Sequence, residues 1–260
     1  MKFFWKPKKN IGLECQQTGL LPDPVDDRDY LYASIYSGST HSSIDWSAMV
    51  GAVKSQGLAS ACTGFSVQTN YELLCKIKGL NFWDSSERYN YYWSRQIGSL
   101  FPQDTGAYLR DAMKTAVNRG CCPESLCPYD VGKINETPNV FAESFTSLSF
   151  PSIKNKLRLY SRVTSIDNIK YNLEKGYPVS IGIPLYADFF IKVGSDTLKV
   201  PAVGEKEKGR HAVLLVGYDD NRKAFNLLNS WGRGYRQSGF VWLPYEYLEK
   251  TNWDAWVFRE

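Results

Sequence analysis

Apolar positions along the chain follow two regimes. In three stretches between residues 60 and 176 they recur every three or four positions, and beyond residue 178 they gather into short runs. In the first regime Gly64, Val67, Tyr71, Leu74 and Ile77 share one face of a helix predicted from Ser60 to about Lys78. Ser60 suits its N-cap, Lys76 and Lys78 its last turn, and Gly79 its C′ position. A second helix is predicted over Leu109–Asn118 with Gly120 as its stop, and a third over Ile166–Glu174, ending at Lys175-Gly176. Residues 121–152 read as irregular. The second regime predicts strands at 178–186, 211–218, 224–231, 239–245 and 255–260. Helices first and strands later predict an α+β protein in two halves. The expected parts are a loop-rich N-terminal extension over 1–43, a helical part over 44–152 and a β-rich part over 153–260.

The pattern is broken by "QGLASACTGFS", residues 56–66. Cys62 falls in the first turn of the long helix, where unpaired N–H groups and the helix dipole favour an anion. This should lower the thiol's pKa and make the sulfur nucleophilic. The chain has two histidines. His41 lies in the extension and reads as a solvated surface residue, whereas His211 opens the most apolar strand. "DDNRK" between two strands reads as a hairpin loop. Centred near Asp220, it sets His211 directly opposite Asn229, whose amide would fix the imidazole tautomer. Trp231 could shield that bond from water. Gln56, with the N–H of Cys62, could donate to an oxygen that gains charge. The bland readings are a structural thiol, a packed histidine, a solvent-facing cross-strand pair and a surface glutamine.

Composition narrows the classes. The 260 residues are 43% hydrophobic and 22% charged, an ordinary globular balance. A net charge of +4, with Lys6, Lys8 and Lys9 as the densest basic cluster, predicts no nucleic-acid partner. No apolar run approaches the ~20 residues of a membrane span, and the first residues lack the apolar core of an export signal. No membrane association is expected, and the chain reads as cytoplasmic. The cysteines are Cys15, Cys62, Cys75, Cys121, Cys122 and Cys127. Setting Cys62 aside leaves five, and the adjacent Cys121 and Cys122 bridge each other poorly. Mostly free thiols in a reducing compartment are expected, with a Cys122–Cys127 bridge left open. A zinc site would lack a fourth nearby ligand, so no metal or cofactor is expected.

A Cys, a His and an Asn in that order, with "IDWSAMVGAVKSQG" before Cys62 and with "HAVLLVGY" and "NSWGRGYRQSGFVWL" later, resemble the papain-like cysteine peptidases. The resemblance covers roughly residues 44–260. "PDPVDDRDYLYA" further resembles the N-terminal segment of a bacterial branch of that family. The resemblance implies a papain-like fold, with a helical left half, an antiparallel β-barrel-like right half and a substrate cleft between them. It implies Cys62 as nucleophile, His211 as general base, Asn229 as orienting amide, Gln56 as oxyanion donor and Trp231 as shield. The activity implied is a thiol endopeptidase acting on peptide or protein substrates through a thioester, without a cofactor. An acyltransferase or peptide ligase would use the same residues, and a peptide-binding protein could keep the fold without turnover. Oligomeric state is not readable.

Four positions depart from the family pattern. Ala59 replaces a cysteine that normally forms a disulfide, Ser60 a cleft-lining glycine and Thr63 an aromatic, and Tyr235 stands where a second Trp is common. Gly209 and Arg210 occupy the place that helps form the family's side-chain pocket. Residues 1–43 are too short for the family's long helical propeptide. They could lie in the cleft as a latch or pack as a strap on the back of the fold.

Overall fold

The computed structural model describes residues 18–26, 29, 41–140 and 159–259. Its centre is helix α1 (Cys62–Ile77), buried along most of its length. α1 packs on one side against α2 (Glu87–Ile97) and α3 (Leu109–Arg119), and on the other against the main sheet. That burial explains why apolar spacing alone locates it. Its start differs from expectation. α1 begins at Cys62, Ala61 holds the N-cap position without a side-chain bond, and Ser60 lies outside. Ser60 is instead committed to Asp104. Its N–H donates to both carboxylate oxygens at 3.1 and 3.2 Å, and its hydroxyl to the Asp104 carbonyl at 3.2 Å.

The apolar spacing does not predict α2, because its buried face is polar-tipped rather than aliphatic. Tyr89, Asn90, Tyr91, Tyr92, Ser94 and Arg95 are all buried there. Arg95 is satisfied by the carbonyls of Gln103 (2.8 Å) and Ile134 (2.5 Å) and by Asn135 Oδ1 (2.6 Å), and it stacks on Tyr91. The signal that could have found α2 is its cap: Ser86 Oγ accepts from the N–H of Tyr89 at 3.0 Å. α3 ends at Gly120, whose φ of 82° requires a residue without Cβ strain. α4 (Ile166–Glu174) has its predicted bounds and is capped by Ser165. A short α5 (Tyr245–Glu249) follows the penultimate strand.

The main sheet contains β2 (Ser43–Asp45), β4 (Leu159–Val163), β5 (Val179–Leu185), β6 (Gly209–Asp219), β7 (Ala224–Leu228), β8 (Phe240–Pro244) and β9 (Asp254–Arg259). Their order is β4-β9-β5-β6-β7-β8, with β2 pairing the far end of β6, and all these pairings are antiparallel. The five predicted strands are present with shifted ends. Ile181, Val213, Phe225, Leu227 and Val257 face Ile169 and Leu173 of α4 to form the core of this half. Ala212, Trp256 and Phe258 turn the other way and pack with Val67, Tyr71 and Leu74 of α1. Polar pins cross the seam: Ser66 Oγ donates to the Val213 carbonyl (2.7 Å), and Asn70 donates to the Pro178 carbonyl and Ser180 Oγ (both 3.0 Å). Such buried, satisfied bonds fix the register of helix on sheet. A separate parallel pair joins β1 (Leu20–Leu21) to β3 (Ala107–Tyr108), at the start of α3. The architecture is the expected α+β arrangement, a helical half packed against an antiparallel sheet.

Candidate active site

The first residue of α1, the third of β6, the residue just after β7 and the loop before α1 supply Cys62, His211, Asn229 and Gln56. All four are buried. His211 Nε2 lies 2.8 Å from Asn229 Oδ1. An amide oxygen can only accept, so Nε2 carries the hydrogen and Nδ1 presents its lone pair. That Nδ1 has no hydrogen-bond partner among the described residues. The contact is made, but not by direct opposition. β6 and β7 pair Leu214 with Leu228 and Tyr218 with Phe225, with an irregularity between Leu215 and Gly217. The ladder is displaced from the predicted register, and β7 ends before Asn229. The Asn229 side chain therefore reaches diagonally across to His211, and its oxygen also accepts from the N–H of Ser230 at 2.8 Å. Trp231 covers this bond, its ring 5.1 Å from the imidazole and tilted by 35°.

Gln56 is held at every end. Its Nε2 donates to the Ala59 carbonyl at 2.8 Å, and its Oε1 accepts from Ser230 Oγ at 2.7 Å. Its backbone N–H donates to the Ser230 carbonyl at 2.9 Å, and its own carbonyl accepts from the Tyr129 hydroxyl at 2.8 Å. Ser55 bridges to Trp231, and the Gly232 N–H donates to the Lys54 carbonyl at 3.0 Å. The loop before the nucleophile is thus zipped to the Asn-Ser-Trp segment across the two halves. Lys54 fixes the other flank, with Nζ at 2.6 Å from Asp84 and from Glu87 and 3.1 Å from Glu72. Sequence reading missed Ser230 and Lys54 as supports. Ser230 sits inside a quoted motif, whereas Lys54 carries no signal of its own.

A family model described as papain family cysteine protease matches residues 40–252. The chain belongs to the papain family of cysteine proteases. It is 29% identical over 214 residues to an uncharacterized peptidase C1-like protein of Acanthamoeba polyphaga mimivirus, covering 79% of this chain and 68% of that protein. Among solved structures it resembles xylellain, a cysteine protease from Xylella fastidiosa. The two are 27% identical, with a TM-score of 0.76, covering 94% of this chain and 96% of that one. A Carica candamarcensis cysteine protease solved with E-64 shares the fold at 20% identity and a TM-score of 0.64, covering 85% of this chain and 99% of that one. Membership in the papain family makes peptides or proteins the substrate class.

In this papain-family protease residues of the chain's own N-terminal segment lie beside the thiol. Thr18, Gly19 and Leu20 cross the site, and Gly19 lies against Ser60. A Cβ on Gly19 would stand 1.9 Å from the Ser60 carbonyl oxygen. Leu20 is buried in the cluster that contains Cys62, Ala212 and Trp256, and Thr18 lies against Gly209. The expected depression of the Cys62 pKa is not seen. Burial pushes the thiol up to about 11, although the N–H groups of Ala212, Gly19, Thr63 and Cys62 itself pull the other way. Burial lowers His211 to about 4, against the bond to Asn229. With the segment in place, burial favours the neutral form of both groups. Cys75, Cys121, Cys122 and Cys127 are buried free thiols, so the Cys122–Cys127 bridge is not formed. His41 is exposed, with Nδ1 3.6 Å from Glu174.

Proposed function

We propose that the protein is a cysteine endopeptidase whose N-terminal segment lies in its cleft as a latch. The observation that carries the catalytic reading is the Asn229–His211 bond, which leaves Nδ1 as a base. Nδ1 takes the Cys62 proton, and the thiolate attacks a substrate carbonyl. Negative charge develops on the carbonyl oxygen, where Gln56 Nε2 and the Cys62 N–H donate. The imidazolium returns its proton to the leaving amine, which departs and leaves a thioester. Water gives a proton to Nδ1, attacks the thioester carbonyl and releases the acid, and the proton returns to sulfur. Cleavage of a mixed peptide library tests this: Cys62→Ala should abolish turnover, and full activity in that variant would overturn the assignment.

The latch reading is supported by Gly19, which lies against Ser60, and by Leu20, which is buried in the cluster that contains Cys62. Because a Cβ at Gly19 collides with Ser60, Gly19→Ala in the full chain should dislodge the segment and raise peptidase activity. Unchanged activity would discard the latch.

A further inference from the structure

Asp254 at the start of β9 is buried, and its two carboxylate oxygens meet no N–H or hydroxyl donor among the described residues. Beside it stands the carboxyl of Asp23, on the N-terminal segment three residues beyond Leu20. Two carboxyl groups share a hydrogen bond only when one carries a proton. Asp23 is otherwise well placed: it accepts from the Trp256 indole at 2.9 Å and from the Arg110 backbone N–H at 3.2 Å. The pair sits beside the latch's apolar anchor. The Cβ direction of Gly182 is shared by Asp254 Oδ1 and Leu20 Cδ2. We propose that the Asp23–Asp254 pair is a proton-dependent clasp that holds the latch closed when it carries a proton and loosens it when that proton is lost.

The sign follows from linkage. In the closed state burial raises Asp23 and Asp254 above their ordinary range, and for Asp254 the Asp23 carboxyl adds to the rise. Once the segment leaves, Asp23 enters water and Asp254 loses both that cover and the neighbouring Asp23 carboxyl, so both fall back toward the ordinary carboxyl range. The closed state therefore holds a proton that the open state gives up, and raising the pH favours opening. Within that window one shared proton shifts the equilibrium about tenfold per pH unit. The charged groups facing the pair are Arg110 and Asp111 of α3, Arg162 of β4 and Arg210 of β6. The cations moderate the pair and Asp111 reinforces it. Asp29 of the segment, in turn, is paired with Arg110 and Arg162. His211 and Cys62 also change environment on opening, His211 with the opposite sign, so the clasp must be isolated from both.

This inference rests on the latch reading, and three full-length chains separate the two. Iodoacetamide labelling of Cys62, mapped by peptide mass, is measured from about pH 5 to 8 in the parent, in Gly19→Ala and in Asp23→Asn. The amide introduced by Asp23→Asn can donate to Asp254 at any pH, and His211 and Cys62 are retained. The Gly19→Ala to parent rate ratio should exceed one and fall as pH rises, by up to about tenfold per unit. The Gly19→Ala to Asp23→Asn ratio should lack that fall. A parent ratio above one with the same pH dependence as that of Asp23→Asn would overturn the clasp while the latch stands. A ratio of one at every pH would overturn the latch and the clasp with it.

Discussion

Gly19 rests on Ser60 with no room for a side chain between them, its would-be Cβ 1.9 Å from the Ser60 carbonyl oxygen. The same approach brings the Gly19 N–H to the Cys62 sulfur and lets the Gly19 carbonyl accept from the Ala107 N–H at 2.9 Å. Ser60 stands where the family pattern has a cleft-lining glycine. Its hydroxyl is turned away onto Asp104, so the cleft keeps a bare backbone surface at this point. One glycine in the N-terminal segment thus matches one redirected serine in the body.

Leu20 is held by burial as well as by the parallel pairing of β1 with β3. It is 5% exposed and packs in the cluster that includes Cys62 and Trp256. Leu20→Ala should weaken closure by about 2 kcal/mol or more, roughly a thirtyfold shift toward the open state. Peptidase activity should rise while the urea midpoint of the body changes little, because the lost contact lies between latch and body. Activity equal to the parent's would mean that the segment is not limiting access.

Asn229 should act on rate through His211. Asn229→Ala removes the acceptor at Nε2 and frees the ring to rotate and to exchange tautomers. Misorientation of a catalytic group costs up to about 100-fold, so kcat should fall by about that much and KM by far less. Measured in the Gly19→Ala background, this separates the site from the latch. An unchanged kcat would show that Trp231 and the sheet alone orient the imidazole.

The sequence exposes this couple better than it exposes its geometry. Cys62 is legible at the predicted start of the long helix and His211 at the mouth of the most apolar strand, whereas Asn229 is legible only through an assumed hairpin register and the resemblance to the papain-like pattern. The ladder between β6 and β7 is not, because the irregularity between Leu215 and Gly217 has no compositional sign. α2 escapes because its inner face is Tyr, Asn, Ser and Arg, and their burial depends on partners such as the Gln103 and Ile134 carbonyls. The fit of Gly19 on Ser60 joins two residues far apart in sequence, and neither looks unusual alone. The raised thiol pKa follows from that cover. Helix-end electrostatics act on Cys62 as expected, but desolvation outweighs them.

Ser86 tests the stability of the helical half. Its hydroxyl accepts from the Tyr89 N–H and donates to the Cys127 carbonyl at 2.5 Å, both in buried surroundings. Ser86→Ala removes the cap, worth about 1 kcal/mol, and leaves a buried carbonyl without this donor, which adds about 1–3 kcal/mol. The urea midpoint should drop with an unchanged slope. A shift below about 0.5 kcal/mol, the range of ordinary surface substitutions, would contradict the buried cap.

Cys62 reactivity should report the cover directly at alkaline pH. With the N-terminal segment in place, burial raises the thiol from its ordinary 9.0 to about 11. A raised thiol pKa means that the closed state keeps a proton which the open state releases. Closure is therefore fully stabilised by this group below pH 9.0 and loses that contribution as pH rises toward 11. Both effects, the thiolate fraction and the opening, point the same way. In the parent chain the iodoacetamide labelling rate of Cys62 should still be climbing above pH 9.0. In Gly19→Ala it should level off at lower pH, because the rehydrated sulfur then titrates beside His211 and the α1 N-terminus. Coincident profiles would show that the segment does not set the environment of the sulfur.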